Sequence, residues 1–296
     1  MGPPVILRSM LYAPATHPRH ATAALAGQAD AAILDLEDAV AEDHKEEARR
    51  AVAGFLDGRP PVGPAAFVRV NGLRTPHAYR DLLAVVLPGV EGVVVPKVES
   101  AAEVAIADWM LSQLEGERGI RGGVELVPVV ETAVGLRRLD EIASASPRVR
   151  RVGFGAADLS ADTGVALAGG SEGMVAVKVQ LVVSSRAAGL EPPMDSVYPD
   201  FRDAEGFLRE AEQARRLGLF GKTCIHPSQV ELANRVFTPS DDEQRLARDV
   251  LRAFEEALAQ GSASVQLDGR MIDYPIAERA RRVVELADRL SGRPAR

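Results

Sequence analysis

Val124–Leu159 reads VELVPVVETAVGLRRLDEIASASPRVRRVGFGAADL. An apolar run of strand length, VELVPVVE, ends on Glu131. A stretch with apolar residues at helical spacing, VGLRRLDEIASAS, follows. A second apolar run, VRRVGFGA, then leads into Asp158. Strand, helix and strand in that order make a βαβ unit, because two parallel strands can be joined only by a crossover long enough to hold a helix.

The alternation continues on both sides of this stretch. Upstream, VILRSMLYA, DAAILDLED, AAFVRVN and EGVVVPKV have strand length and composition; downstream, PPMDSVY and LFGKTCIH do. Between them lie segments such as HKEEARRAVAGFLDG and DAEGFLREAEQARRLG, each able to lay one apolar face on a sheet. Ser100 with Glu103 three residues later forms a capping-box pattern, and Gly189 and Gly218 fall where a left-handed residue would end a helix. Eight strands alternating with helices predict an α/β fold of the (β/α)8 TIM-barrel type. After IHPSQV the alternation stops. SDDEQRLARDVLRAFEEALAQG reads as a long helix, a polar turn at Asp268 and Gly269 follows, and another helix starts near Pro275. The expected organisation is a catalytic barrel over residues 1–238 and a C-terminal helical extension or lid over 239–296.

Composition narrows the function. The chain has 296 residues, of which 46% are hydrophobic and 26% charged, with a net charge of −7. That charge disfavours a polyanionic partner, so nucleic acid is not expected. No apolar run approaches the roughly 20 residues that cross a bilayer, and the start of the chain lacks a basic segment followed by a long apolar one. One cysteine, Cys224, allows no intrachain disulfide. A cytoplasmic location away from membranes is the expectation.

Ligands of an eight-stranded βα barrel bind at the C-terminal ends of its strands. Glu131 and Asp158 fall there, about one repeat apart, and neighbouring strands lie about 5 Å from each other. Two acids so placed can share a hard divalent cation, Mg²⁺ or Mn²⁺. They can equally cap the helices that follow them. Spacing leaves both readings open.

Arg69 and Asn71, in FVRVN, share one strand face and could both point inward. Arg69 suits a substrate carboxylate, or an acid on the next strand. LDLEDAV supplies such acids: Asp35 and Glu37 on one face, Asp38 on the other, to orient Arg69, contact substrate or hold metal-bound water. Lys97 ends the fourth strand as a substrate contact. Nearby acids would keep it protonated, against a Schiff-base role. His226, before Pro227, reads chiefly as a packed turn residue, and Cys224 as a small buried one.

In this order, RSMLYAP, AAILDLEDAV, FVRVNG, VVVPKVES, VPVVETAVGL, VGFGAADLSADTG, GKTCIHPSQVELANRVFTPS and GRMIDYPIAERARRV resemble the citrate lyase β-subunit-like (HpcH/HpaI aldolase/citrate lyase) family, which includes malyl-CoA and citramalyl-CoA lyases. The resemblance runs from about Arg8 to about Leu290. It implies a Mg²⁺-dependent (β/α)8 lyase that cleaves or forms a carbon–carbon bond in a 3-hydroxyacyl thioester, with coenzyme A as part of the substrate. It makes Glu131 and Asp158 the metal ligands and Arg69 the substrate-carboxylate arginine. Asp273, in MIDYP, becomes the acid that the C-terminal segment carries over a neighbouring barrel, in a homotrimer or hexamer. From the residues alone, Asp273 is equally a helix cap. Two positions depart from the family pattern: Pro14-Ala15 stands where Pro-Gly is common, and Lys178 where Arg is. The alternatives are a citrate lyase β subunit acting on a citryl-acyl-carrier-protein thioester within a complex, a metal-dependent pyruvate aldolase, and a non-catalytic barrel.

Overall fold

The computed structural model of the chain describes residues 5–57, 59, 62–167 and 172–292. Strands β1 (Ser9–Pro14), β2 (Ala31–Asp35), β3 (Ala65–Arg69), β4 (Gly92–Val95), β5 (Glu125–Val130), β6 (Gly153–Phe154) and β7 (Lys222–Cys224) form one sheet in the order β6-β5-β4-β3-β2-β1-β7. Among the described residues every strand pairing within it is parallel, and strands consecutive in sequence are neighbours from β1 to β6. Helices fill the connections, as the alternating periodicity requires. Side chains from one face of the sheet, including Met10, Ile33, Phe67, Val94 and Val127, meet in a single buried cluster with Met194.

The expected seventh strand differs. PPMDSVY contributes one parallel bridge, Asp195 to Lys222, rather than a strand. The Asp195 amide donates to Gly221 O at 2.9 Å, and Thr223 N donates to Asp195 O at 3.0 Å. Pro192 and Pro193 bring no N–H to a ladder, and β6 opposite is two residues long, so little backbone pairing is available on that side. VRRVGFGA is correspondingly shortened: beyond β6 it adds an isolated bridge at Val149.

Local end signals act as the sequence implies. Ser100 and Glu103 form a reciprocal capping box on the helix Ala101–Arg118, and Gly218 ends Ala204–Leu217 with φ of 101°. The segment expected as one helix after β5 is broken at Arg138 into Ala133–Arg137 and Leu139–Ala143. Two helices not anticipated are Ala156–Thr163 and Pro227–Val236. Among the described residues, no helix is long and apolar enough to cross a membrane.

The chain divides into two compact units, Met1–Val236 and Phe237–Arg296. The second contains the helix Asp241–Ala259, a hairpin of β8 (Val265–Leu267) and β9 (Arg270–Ile272), and the helix Tyr274–Ser291. The hairpin was read as a bare turn. Asp268 and Gly269 both have positive φ, 48° and 76°, the geometry that lets two residues reverse a twisted antiparallel pair. Val250, Phe254, Ile272 and Ala277 give this unit its own core.

Candidate active site

A cavity of about 430 Å³ opens at the C-terminal ends of the strands and is lined by Tyr12, Asp35, Asp38, Arg69, Glu131 and Asp158, among others. Glu131 follows β5 directly and is buried. It does not cap the next helix: Thr132 does, its hydroxyl accepting from Gly135 N. Glu131 Oε1 instead accepts the amide of Lys97 at 2.8 Å. Lys97 holds a left-handed backbone, φ 54°, which is uncommon for a side chain of this kind. Glu131 Oε2 lies 2.0 Å from where a Cβ on residue 155 would fall, so a side chain there would force the carboxylate to move.

Asp158 does not end a strand. It sits in the first turn of Ala156–Thr163, because β6 stops at Phe154 and the helix begins at once. That position has the favourable helix-dipole geometry considered for an acid, yet Asp158 also lines the cavity with Glu131. Burial, then the charges of Asp158 and Glu37, push the Glu131 carboxyl up to about 7. The two acids thus interact electrically across the cavity.

That elevation sets a pH dependence. The folded chain holds the Glu131 proton at pH values where the unfolded chain, at an ordinary 4.5, has released it. Stability from this group is therefore full below about 4.5 and falls as pH rises through about 7. The loss is on the order of 3 kcal/mol. Denaturant titrations in a chelator between pH 4.5 and 7.5 should show wild type losing stability relative to Glu131→Gln. Parallel curves would place Glu131 in an ordinary environment.

Arg69 lies in the cavity wall, held by the acids of the second strand. Its Nε and Nη2 donate to the two Asp35 oxygens at 2.7 and 2.6 Å, and Nη1 lies 2.9 Å from Glu37 Oε2. Its guanidinium also stands 4.9 Å from the centre of the Tyr12 ring. Burial works against the charge, but the Asp35 hydrogen bonds and the Tyr12, Asp35 and Glu37 charges more than offset it and raise the Arg69 pKa. Arg69 is thus paired with the acids of the second strand and at the same time lines the cavity. Tyr12 is the neighbour sequence reasoning missed. It is two residues beyond Met10 on β1, and that period-two spacing was the available signal.

Lys97 Nζ pairs with Glu37 and lies 3.5 Å from Asp38 and 3.9 Å from Asp158. Desolvation opposes its charge, but the hydrogen bond and charge of Glu37 outweigh this and raise its pKa. A raised pKa keeps the ammonium protonated, which disfavours a Schiff-base role. Asn71 does not project into the cavity. β3 ends at Arg69, and the Asn71 amide binds Leu36 O and Asp81 while accepting from Lys45 Nζ. Lys45 also donates to Leu36 O and Glu37 O, so this buried set braces the loop that carries Glu37.

The remaining expected positions have partners of their own. Asp273 is the N-cap of Tyr274–Ser291, its side chain accepting from Ile276 N at 3.3 Å. That is the capping role sequence allowed, and the cavity lining comes wholly from the first unit. His226 stacks on Phe201, ring centroids 4.8 Å apart, and pairs with Ser228. Cys224 is buried, which pushes its thiol up to about 12 and leaves it unreactive. Lys178 is buried against Asp195 at 2.8 Å, and Ala15 is fully buried, its amide donating to Asp35 O.

Gly155→Ala should test the packing around Glu131. The new methyl would overlap Oε2 and displace the carboxylate, at about 1–3 kcal/mol of overpacking strain. Urea unfolding measures it, and a wild-type midpoint would show that the carboxylate moves aside freely.

Among the described residues, no three His, Cys, Asp or Glu side chains converge as a complete metal cage. The donor set fits a cation that needs no such cage. Two carboxylates offer hard oxygen ligands, the burial of Glu131 penalises its charge until a cation neutralises it, and Mg²⁺ commonly takes one or two carboxylates and completes its shell with water and substrate.

The chain matches the HpcH/HpaI aldolase/citrate lyase family over residues 8–227 and a C–C bond lyase family of the TIM-barrel fold over residues 179–289. It is similar to L-malyl-CoA/beta-methylmalyl-CoA lyase of Rhodobacter capsulatus, 34% identical over 97% of this chain and 96% of that protein. It is also similar to citrate lyase subunit beta of Leuconostoc mesenteroides subsp. cremoris, 33% identical over 95% and 93%. Among solved structures, CitE from Mycobacterium tuberculosis in complex with magnesium, acetoacetate and coenzyme A shares 32% identity. Its TM-score is 0.76, covering 95% of this chain and 97% of that one.

Proposed function

Because this chain belongs to the HpcH/HpaI aldolase/citrate lyase family, we propose that it is a Mg²⁺-dependent carbon–carbon lyase acting on a 3-hydroxyacyl-CoA thioester such as malyl-CoA, citramalyl-CoA or citryl-CoA. The observation that carries the reading is the buried Glu131 with Asp158 beside it in a cavity that also presents Arg69.

Glu131 and Asp158 are the residues that would hold Mg²⁺. When bound, the ion neutralises these acids and acts as a Lewis acid toward the oxygen of the hydroxy- or oxo-acid end of the substrate. Arg69 is already oriented by Asp35 and Glu37 and directs its remaining terminal N–H groups to the substrate carboxylate. Fixing that end places the scissile bond without further loss of freedom at the moment of reaction. Glu37 and Asp38 act mainly through Lys97 and Arg69, and Lys97 supplies a fixed positive charge at the rim. In the cleavage direction a base takes the hydroxyl proton, the oxygen's electron pair forms a carbonyl, and the electron pair of the breaking carbon–carbon bond passes to the thioester as an enolate. Asp273, brought by a neighbouring copy of the chain, protonates the enolate α-carbon; in the condensation direction it removes that proton.

This reading includes a closed eight-stranded barrel over residues 1–238, with Asp195 marking the seventh stave. It also includes a lid over 239–296 seated on the next subunit of a homotrimer or hexamer in the cytoplasm. The similarity to a citrate lyase β subunit favours one second reading, a citryl-acyl-carrier-protein substrate within a complex. Assaying the purified chain with Mg²⁺ and a panel of acyl-CoA esters separates the two. Turnover of a CoA ester without partner proteins supports the first, and turnover only of the carrier-protein thioester supports the second.

A further inference from the structure

The helix that carries Asp158 begins without a cap of its own. Its N-cap is Gly155, which has no side chain to offer, and a Cβ there would lie 2.0 Å from Glu131 Oε2. A hydroxyl from outside the helix takes over: Ala156 N, the first helical amide, donates to Ser196 Oγ at 3.1 Å. Ser196 lies in the segment that pairs with β7 through a single bridge, so its own backbone ladder hardly anchors it. Lys222, on β7, does that work. Its buried Nζ donates to Ser196 O at 2.8 Å, to Asp195 Oδ2 at 2.5 Å and to Glu210 Oε1 at 2.6 Å, three acceptors for the three donors of an ammonium. Lys178 Nζ lies 2.8 Å from Asp195 Oδ1, so two lysines balance two acids.

Burial alone would raise the Asp195 carboxyl, but the Lys222 and Lys178 ammonium groups hold it below its ordinary range. The Asp195–Lys222 pair therefore stays ionised, and its hydrogen bonds tie Ser196 to β7. We propose that Lys222, Asp195 and Ser196 are positioning residues for the Asp158 carboxylate: the buried ion cluster fixes Ser196, and its hydroxyl fixes the first turn of the Asp158 helix. This rests on the reading of Asp158 as a metal ligand. The linkage spans the weakly paired gap between β6 and β7, where the backbone ladder does not transmit position.

The test is calorimetric titration of the full chain with Mn²⁺, coupled to hydrogen exchange at Ala156. Ser196→Ala should bind Mn²⁺ about three- to tenfold more weakly, the equivalent of one lost hydrogen bond, and exchange the Ala156 amide faster. Ser146→Ala is the control. It removes a buried hydroxyl bonded to Asp108 and should keep wild-type affinity. Asp158→Asn should lose Mn²⁺ binding. If wild type binds, Asp158→Asn does not and Ser196→Ala matches wild type, the positioning role is overturned while the metal site stands. Equal weakening in Ser146→Ala would reduce the effect to general softening and also overturn it. No binding by wild type would remove the metal reading itself. If Ser196→Ala fails to fold, Lys222→Met carries the same prediction, weaker Mn²⁺ binding with faster Ala156 exchange, and wild-type values in it would overturn the proposal.

Discussion

Glu131→Gln is expected to lower Mg²⁺-dependent turnover by about 10³-fold or more while the protein stays folded. The substitution is isosteric, and the Gln carbonyl can still accept the Lys97 amide that Glu131 accepts now. What it removes is one of the two carboxylates proposed to hold the ion. A divalent ion supplies several kcal/mol of transition-state charge stabilisation, and each 1.4 kcal/mol or so corresponds to tenfold in rate. The metal-free variant should be no less stable than wild type at neutral pH, since ionising the native residue in that burial is costly. Steady-state kinetics over a Mg²⁺ titration, with circular dichroism as the fold control, reads both effects. Activity within tenfold of wild type would take the metal away from Glu131.

Asp273→Asn is the second large effect, about 10²- to 10⁴-fold in kcat, the range supplied by a positioned general acid or base. Asn can still accept the Ile276 amide that Asp273 accepts now, so the helix Tyr274–Ser291 should keep its cap, and metal and substrate binding should survive. Exchange of the thioester α-proton with deuterated solvent isolates the step. Wild-type exchange would leave Asp273 a cap and nothing more. Because the acid is proposed to act in a neighbouring copy, mixed oligomers of Asp273→Asn and Glu131→Gln should regain some activity. Absence of recovery after demonstrated subunit exchange would assign Asp273 to its own chain.

Much of the site was legible because its residues sit at predictable ends of periodic elements. Glu131 follows an apolar run whose last strand residue is Val130, and Arg69 closes β3. Strand parity puts Asp35 in register with Arg69, where their side chains meet. Parity failed at Asn71, which lies two residues past the end of β3 and turns toward Asp81 and Lys45. It failed again at Asp158, since the number of residues in a loop does not say where a helix begins.

From the residue string alone came the alternation of strand and helix, the parallel sheet it demands, the family, and the acids and arginine proposed to carry the chemistry. These follow from local periodicity and from motifs that are contiguous in the chain. Tertiary structure decided the rest: that Asp195 makes a bridge and not a strand, that Asp35 and Glu37 grip Arg69, that Glu131 rather than Thr132 is free of capping duty, and that Ser196 caps a helix forty residues upstream. Each of these depends on which side chains meet across large separations in sequence, and such meetings are set by the packing of the whole sheet, to which no single segment's pattern is sensitive.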